Sequence, residues 1–363
     1  MQHPATPAKA VAGGFITLLV AMGIGRFAYT PLLPPMMQEY ALDSATAGTL
    51  ASVNFAGYLA GAFLGGSLCR GREKGMVILA LLVSAATTAA MGAGSSFLVL
   101  AAARLVSGLA SAFAFVSGSA LVLTVLARHQ RENLSGIYFG GVGAGIAFSG
   151  VAAPPLAASM GVAGAWVALG AASALLTLPA FLLFETEPAG PPGPVATDPL
   201  PRSGRFLRIT AAYGLEGFGY IITGTFMVAA ARSVFGASGA AAAWVIAGCA
   251  AAPSAYFWSK LAKIRGPLPP LAAAHLMQAA GIALPALLPG KTSVIIGAIL
   301  FGATFMGIVM LALSAGTACQ PAARGRIIGL MTGIYGIGQI AGPLLAGLIA
   351  ARTGSFDPAL LVA

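Results

Sequence analysis

The spacing of charged residues constrains this chain most. Stretches without Asp, Glu, Lys or Arg cover 44–69, 75–103, 105–127, 133–184, 233–259, 266–290, 292–323 and 327–351. A helix crosses a bilayer in about 17–25 mostly apolar residues, so most of these runs predict one transmembrane helix each. The longest, 133–184, has room for two, with a break near Ser159-Met160-Gly161. Two further spans carry lone charges, one near 11–33 with Arg26 and one near 207–231 with Glu216. The expectation is an all-α polytopic membrane protein with eleven full helices and the start of a twelfth at 356–363. Of the 363 residues, 58% are hydrophobic and 8% charged, against roughly 45–50% and 25% in soluble domains. That excess runs the whole length, which excludes a soluble domain on one anchor. The apolar run after the polar first ten residues outlasts the about 7–15 residues of a signal peptide, so helix 1 reads as retained.

A net charge of +10 on a soluble protein would point to nucleic acid, but here the cations sort by loop. With the N-terminus inside, alternate loops hold 14 of the 19 Lys and Arg, from Lys9 and Arg70/Arg72/Lys74 to Arg324/Arg326, and the other side holds Arg232, Lys291 and Arg352. Cytoplasmic loops retain Lys and Arg, so the basic balance is a topology signal and no nucleic-acid partner is implied. Cys69, Cys249 and Cys319 lack metal or redox spacing and read as small packing residues.

A Pro- and Gly-rich stretch, EPAGPPGPVATDPLPRSGR at 187–205, cannot be helical and reads as a linker. It divides the chain into a six-helix bundle at 1–184, a cytoplasmic linker at 185–206 and a second bundle at 207–363. The bundles align as repeats. Gly23, Phe27 and Tyr29 recur 191 residues later as Gly214, Phe218 and Tyr220, while Gly136, Gly140, Gly143 and Gly145 recur at 193 as Gly329, Gly333, Gly336 and Gly338. Such an offset spans six helices, so both halves start on the same side and the repeats are parallel, as in the two halves of a major facilitator. It also places helix 12 at about 357–377, so the twelfth helix reads as truncated.

GIGRFAYTPLLPPM at 23–36, GYLAGA at 57–62, YGLEGFGYI at 213–221 and GLMTGIYGIGQIAGP at 329–343 make the chain resemble the YbfB/YjiJ family of the major facilitator superfamily. The resemblance implies the major facilitator fold: a two-bundle, alternating-access carrier in the bacterial inner membrane with helices 1, 4, 7 and 10 around a central cavity. It also implies an inner latch in the loop after helix 2, where Arg70 and Lys74 are kept but Cys69 stands where an acid is expected. The helix 4 motif is present as Arg104 and Gly108. An antiporter-like glycine pattern is imperfect on helix 5, with Gly136 and Gly145, and fuller on helix 11, with Gly329, Gly338, Gly342 and Pro343. Glycines on one side of a helix let backbones approach, so plain packing is an equal reading of that pattern. Gly336, Gly338 and Ala341 mimic a dinucleotide fingerprint, but no strand precedes them and the stretch spans the membrane.

Lone ionisable residues inside spans carry the sharpest chemical signal. Glu216 is the one acid there, and burial and a neighbouring guanidinium act on a carboxyl in opposite senses. The expectation is that Glu216 carries a coupling proton while Arg26 or Arg104 pairs with it or binds an anionic substrate; a fixed Glu216–Arg26 strut between the halves is the structural alternative. Tyr29, Tyr220, Asn54, Tyr138, Tyr335 and Gln339 are the expected polar groups of the substrate cavity, whereas His275 and Gln278 on helix 9 read as structural. The function this implies is proton-coupled efflux of a small molecule, with proton symport of a small anion, or a non-transporting membrane sensor or assembly protein, as alternatives. No catalytic pair, cofactor or metal cluster is visible in the sequence; the partners expected are substrate, protons and lipid bilayer, for a monomer.

Overall fold

The computed structural model describes residues 6–68, 71–184 and 199–363. Ten apolar helical segments among them are long enough to cross a membrane. They are α1 (Pro7–Glu39), α2 (Ser44–Leu68), α3 (Glu73–Ala90), α4 (Phe97–Arg128), a continuous segment Ser135–Leu183 that contains α5 and α6, α7 (Gly204–Gly239), α8 (Ala241–Arg265), α9 (Leu268–Leu287), α10 (Lys291–Thr317) and α11 (Arg324–Thr353). A short α12 (Asp357–Val362) follows. α5 and α6 part at Gly161, whose φ of 72° and ψ of 174° reverse the chain where the sequence predicts the break. The equivalent turn between α11 and α12 falls on Gly354, with φ of 71°, 193 residues later. Only glycine adopts such φ values without strain, so the repeat offset extends to the turns. Arg70 and Cys69 lie outside the described residues, as does most of the linker.

Leu98, Leu175, Leu215 and Ile264 project outward and are largely exposed. Apolar patches of this extent do not occur on soluble monomers; here they are the lipid-facing surface. Between helices, glycines bring backbones into contact. Gly145 of α5 meets Gly23 of α1, and Gly338 of α11 meets the Gly214 carbonyl of α7. The second pair is the repeat image of the first, so the matching glycines are the intrabundle seams. The halves meet along two other seams. Gly143 of α5 lies on Gly248 of α8, and Gly48 of α2 lies on the Pro343 carbonyl of α11. In each case an added Cβ would meet backbone, which cannot yield. Gly329, by contrast, has open space around it.

Candidate functional site

The site begins where α1 stops being a regular helix. Residues Leu19–Ile24 form a π-helical turn, and the amides of Gly25 and Phe27 reach back five residues to the carbonyls of Val20 and Met22, at 2.8 and 3.0 Å. Pro31, Pro34 and Pro35 just beyond supply no N–H to restore the ladder. Wide turns of this kind release backbone groups and are frequent at functional sites. α4 takes up the released carbonyls: Ser107 Oγ donates to Gly25 O at 3.0 Å and Arg104 Nη1 to Arg26 O at 3.4 Å, while Arg104 Nε donates to Leu50 O of α2 at 3.4 Å. Arg104 also lies over the Tyr29 ring at 4.4 Å, and Asn54 donates to Arg104 O at 2.8 Å. Tyr29 donates its hydroxyl to Ala47 O at 2.9 Å. Three of the expected site residues, Arg104, Asn54 and Tyr29, thus form a brace inside the first bundle and hold α1 in its irregular path.

That path sends the Arg26 side chain toward the second bundle. Arg26 is 2% exposed, and its guanidinium sits over the rings of Tyr58 at 4.1 Å, Phe55 at 4.2 Å and Phe27 at 5.6 Å. Insertion of an arginine at mid-membrane costs about 2.5–3.5 kcal/mol, and each desolvated cation–π contact returns about 0.5–2, so the rings offset much of that cost. They leave the edge of the guanidinium free: Nε and Nη2 are buried and without a hydrogen-bond partner.

Arg26 lines a cavity of about 130 Å³ between the bundles. Across from it stands a ladder of near-parallel rings from α7, α10 and α11. Tyr213 stacks on Tyr335 at 4.4 Å and 17°, Tyr335 on Tyr220 at 5.6 Å and 14°, and Tyr220 on Phe305 at 5.9 Å and 5°. Gln339 donates its amide to the Tyr220 hydroxyl. Of the expected cavity residues, Tyr220, Tyr335 and Gln339 line this space, together with Tyr58, Tyr213 and Phe305. Tyr138 packs instead inside the first bundle, sharing a 2.9 Å hydrogen bond with Ser119.

Glu216 lies in the second bundle and is 7% exposed. Its Oε1 accepts from Gln278 Nε2 of α9 at 2.7 Å, and Gln278 Oε1 accepts from Thr304 Oγ1 of α10 at 2.9 Å. No ion pair joins Glu216 to Arg26 or Arg104 among the described residues, so neither the pairing with an arginine nor the alternative of a fixed Glu216–Arg26 strut is present, and the acid is held by this three-helix chain. Gln278 is 2% exposed; helix 9 is outermost in the bundle, yet this residue points inward. Tyr213, three residues before Glu216 on α7, lines the cavity, so the acid stands beside the cavity wall.

The cavity extends toward the end of the bundle that carries the basic loops, with Phe115, Leu313 and Thr332 on its walls. At the opposite end the bundles touch. Thr30 Oγ1 donates to Gly224 O, Ser52 Oγ donates to Ile340 O at 2.7 Å, and Phe27 packs edge-on against Trp244 with centroids 6.0 Å apart. Beyond that closure a second cleft, of about 600 Å³, opens between Pro31, Pro34, Pro154, Pro155 and Arg232. At the basic end Lys74 Nζ lies 4.7 Å from the Phe181 ring. The glycines of the seams already described, with Gly108 against the Asn54 carbonyl, Gly136 against Tyr256 and Gly342 against the Phe218 carbonyl, pack the helices around this space.

Comparison with known proteins gives the same architecture. A nucleoside transporter, NupG, solved as a mutant, superposes with a TM-score of 0.76 at 14% identity, over 97% of this chain and 96% of its own. A bacterial homolog of the human lysosomal transporter Spinster, inward-facing and unoccupied, superposes with 0.71 at 19% identity, over 98% and 88%. A chloramphenicol resistance protein of Streptomyces lividans is 32% identical over 173 residues, 47% of this chain; the match spans less than half, 43%, of that relative. Residues 18–363 match the family described as the uncharacterised MFS-type transporter YbfB. Two six-helix repeats around a central cavity and a family match over nearly the whole length agree, and the chain belongs to the YbfB-type transporters of the major facilitator superfamily.

Proposed function

We propose that this transporter exports a small molecule in exchange for protons by alternating access, as a monomer in a bacterial inner membrane. The observation that carries the reading is the cavity at Arg26, which extends toward the basic end while Thr30–Gly224 and Ser52–Ile340 close the other. Cytoplasmic loops retain Lys and Arg, so the basic end and the N-terminus face the cytoplasm and this state faces inward. Glu216 carries the coupling proton. A carboxylate buried without a cation is destabilised by several kcal/mol unless it is neutralised or reached by water, and the Gln278–Thr304 chain holds Glu216 beside the tyrosines of the substrate wall. Substrate arrival and protonation can thereby sense each other across Tyr213 and Tyr335. Arg26 faces the substrate, and Arg104 acts through the backbone of α1. The chloramphenicol resistance relative supports the export direction.

Glu216→Gln tests this in everted vesicles. Loss of pH-driven accumulation with retained substrate exchange is expected, and an unchanged pH dependence would overturn the assignment. One observation favours a second reading: the free N–H groups of Arg26 suit an anion imported together with a proton. An acid vesicle interior drives accumulation under antiport and depletion under symport.

A further inference from the structure

Resting on the carrier reading above, we infer that the substrate is a small planar monoanion, a single aromatic ring bearing a carboxylate, held between Arg26 and the tyrosine ladder. Three independent features of the cavity converge on that chemistry.

The first is the pair of unsatisfied atoms. Arg26 Nε and Nη2 lie on one edge of the guanidinium and form the fork that accepts two oxygens of a carboxylate side by side. Phe55 and Tyr58 stand 4.2 and 4.1 Å from the group, Arg26 lines the cavity, and a buried unpaired donor is destabilising until a partner arrives, so a ligand in the cavity reaches this edge by a small shift of the Arg26 side chain. Arg104, the other buried arginine, is occupied with the carbonyls of Arg26 and Leu50. One free guanidinium matches one negative charge.

The second is the opposite wall. Tyr335, Tyr220 and Phe305 are stacked within 14° of parallel and line the same space as Arg26. Each of these rings has a neighbour stacked against it, so the wall offers ring edges, and an aromatic edge packs on the face of a flat aromatic ligand in the T-shaped manner, an attraction that a saturated ring of equal size lacks. The third is size. The cavity of about 130 Å³ is close to the roughly 150 Å³ of an engineered apolar protein cavity that takes up benzene, which is the scale of one ring.

Isothermal titration of the purified full chain with benzoate, benzamide and cyclohexanecarboxylate tests the inference. Benzoate should bind at least about tenfold more tightly than benzamide, which has the same shape without the charge, and about fivefold more tightly than cyclohexanecarboxylate, which has the charge without the flat ring. Arg26→Gln, which removes the charge, should bring benzoate and benzamide to within about threefold, and Tyr335→Leu should remove the preference for the flat ring. Absence of benzoate binding, equal binding of benzamide, or an Arg26→Gln ratio like that of the wild type would overturn it. The wild-type ratios need no variant and stand even where a substitution fails to fold. Benzoate binding without pH-driven flux in proteoliposomes would remove the coupled-carrier reading and leave the site. Flux of benzamide driven by pH, with no benzoate binding, would do the reverse.

Discussion

Glu216 of α7 and Gln278 of α9 are joined by a 2.7 Å hydrogen bond deep inside the second bundle, and Thr304 of α10 extends it to a third helix. At the corresponding place in the first bundle Gly25 of α1 faces Ser84 of α3, and Ser107 of α4 donates to the Gly25 carbonyl. Offsets of about 191–197 relate the members. The same three-helix junction is therefore neutral and small in one repeat and acidic in the other. Divergence at one junction gives a symmetric scaffold an asymmetric chemistry, with the buried guanidinium of Arg26 in one half and the acid in the other.

From this junction follows an effect on coupling. Gln278→Leu removes both the donor to Glu216 and the acceptor of Thr304 while keeping the volume close. A hydrogen bond to a charged group contributes about 1.5–3 kcal/mol, equivalent to roughly ten- to a hundredfold in an equilibrium. pH-driven transport should fall by at least about tenfold, with substrate affinity within about threefold, because Gln278 does not line the cavity. Measured Kd and pH-driven flux that decline together would refute the separation.

The glycine seams separate positions that share a motif. Gly338→Ala places a Cβ against the Gly214 carbonyl, and overpacking of this kind costs about 1–3 kcal/mol. Gly329→Ala meets nothing within 4 Å and removes a glycine from a helix, a gain of up to about 1 kcal/mol. Thermal unfolding in detergent should therefore show the first variant destabilised and the second equal to or above the wild type; the reverse order would contradict the seam.

These positions also mark how far the sequence was legible. The break near Gly161 follows from the length of its charge-free run, and the glycines that make the contacts Gly23–Gly145 and Gly214–Gly338 stand out in the repeat, because a backbone approach leaves its trace as glycine in both copies. Side-chain chemistry does not obey the repeat. Tyr29 and Tyr220 occupy equivalent positions, yet Tyr29 satisfies the Ala47 carbonyl and Tyr220 lines the cavity, since the first faces the bundle interior behind the wide turn and the second faces across the seam. Gln278 reads as structural in the sequence for a related reason. A lone Gln on helix 9 has no periodic signal, and its inward aim depends on the rotation of α9.

The closure at the far end from the basic loops depends on few polar contacts. Thr30 Oγ1 to Gly224 O joins α1 and α7 across the bundles. Interhelical hydrogen bonds in membranes contribute about 0.6–1.7 kcal/mol, so Thr30→Val should shift the balance of states about three- to fifteenfold toward opening at that end. Spin labels on cysteines at Gln38 and Arg232, both of which line the outer cleft, report it as a growing long-distance population in a background without Cys69, Cys249 and Cys319. An unaltered distance distribution would show that the bond does not hold the closure.

Asp43 provides a pH dependence outside the membrane. It precedes α2 and accepts from the Thr46 amide at 2.7 Å, an N-cap worth about 0.5–2 kcal/mol. Hydrogen bonding by Thr46, side chain and backbone, holds the Asp43 carboxyl below its ordinary range. A carboxyl lowered in the folded state contributes stability that is fully present above its unfolded pKa of about 3.9 and is lost as the pH falls through the folded value. The wild type should lose this increment only below about pH 4. Asp43→Asn should retain the cap without that acid sensitivity, and Asp43→Ala should be destabilised by about 1 kcal/mol at pH 7. Equal unfolding temperatures for all three at pH 7 would exclude the cap.

Charge balance sets the two transport modes apart by their response to voltage. If the ligand is a monoanion, exchange of one anion outward for one proton inward moves two charges per cycle, whereas joint movement of anion and proton moves none. Two charges gain about 4.6 kcal/mol per 100 mV, enough to sustain a gradient of about three orders of magnitude with no pH difference. In proteoliposomes with a potassium diffusion potential and equal pH on both sides, benzoate release should therefore accelerate when the side bearing the basic loops is negative and slow when it is positive. Glu216→Gln, which leaves only substrate exchange, should abolish this response, because exchange of one benzoate for another moves no net charge. A wild-type flux indifferent to voltage but driven by a pH gradient would identify electroneutral symport and set aside the export reading.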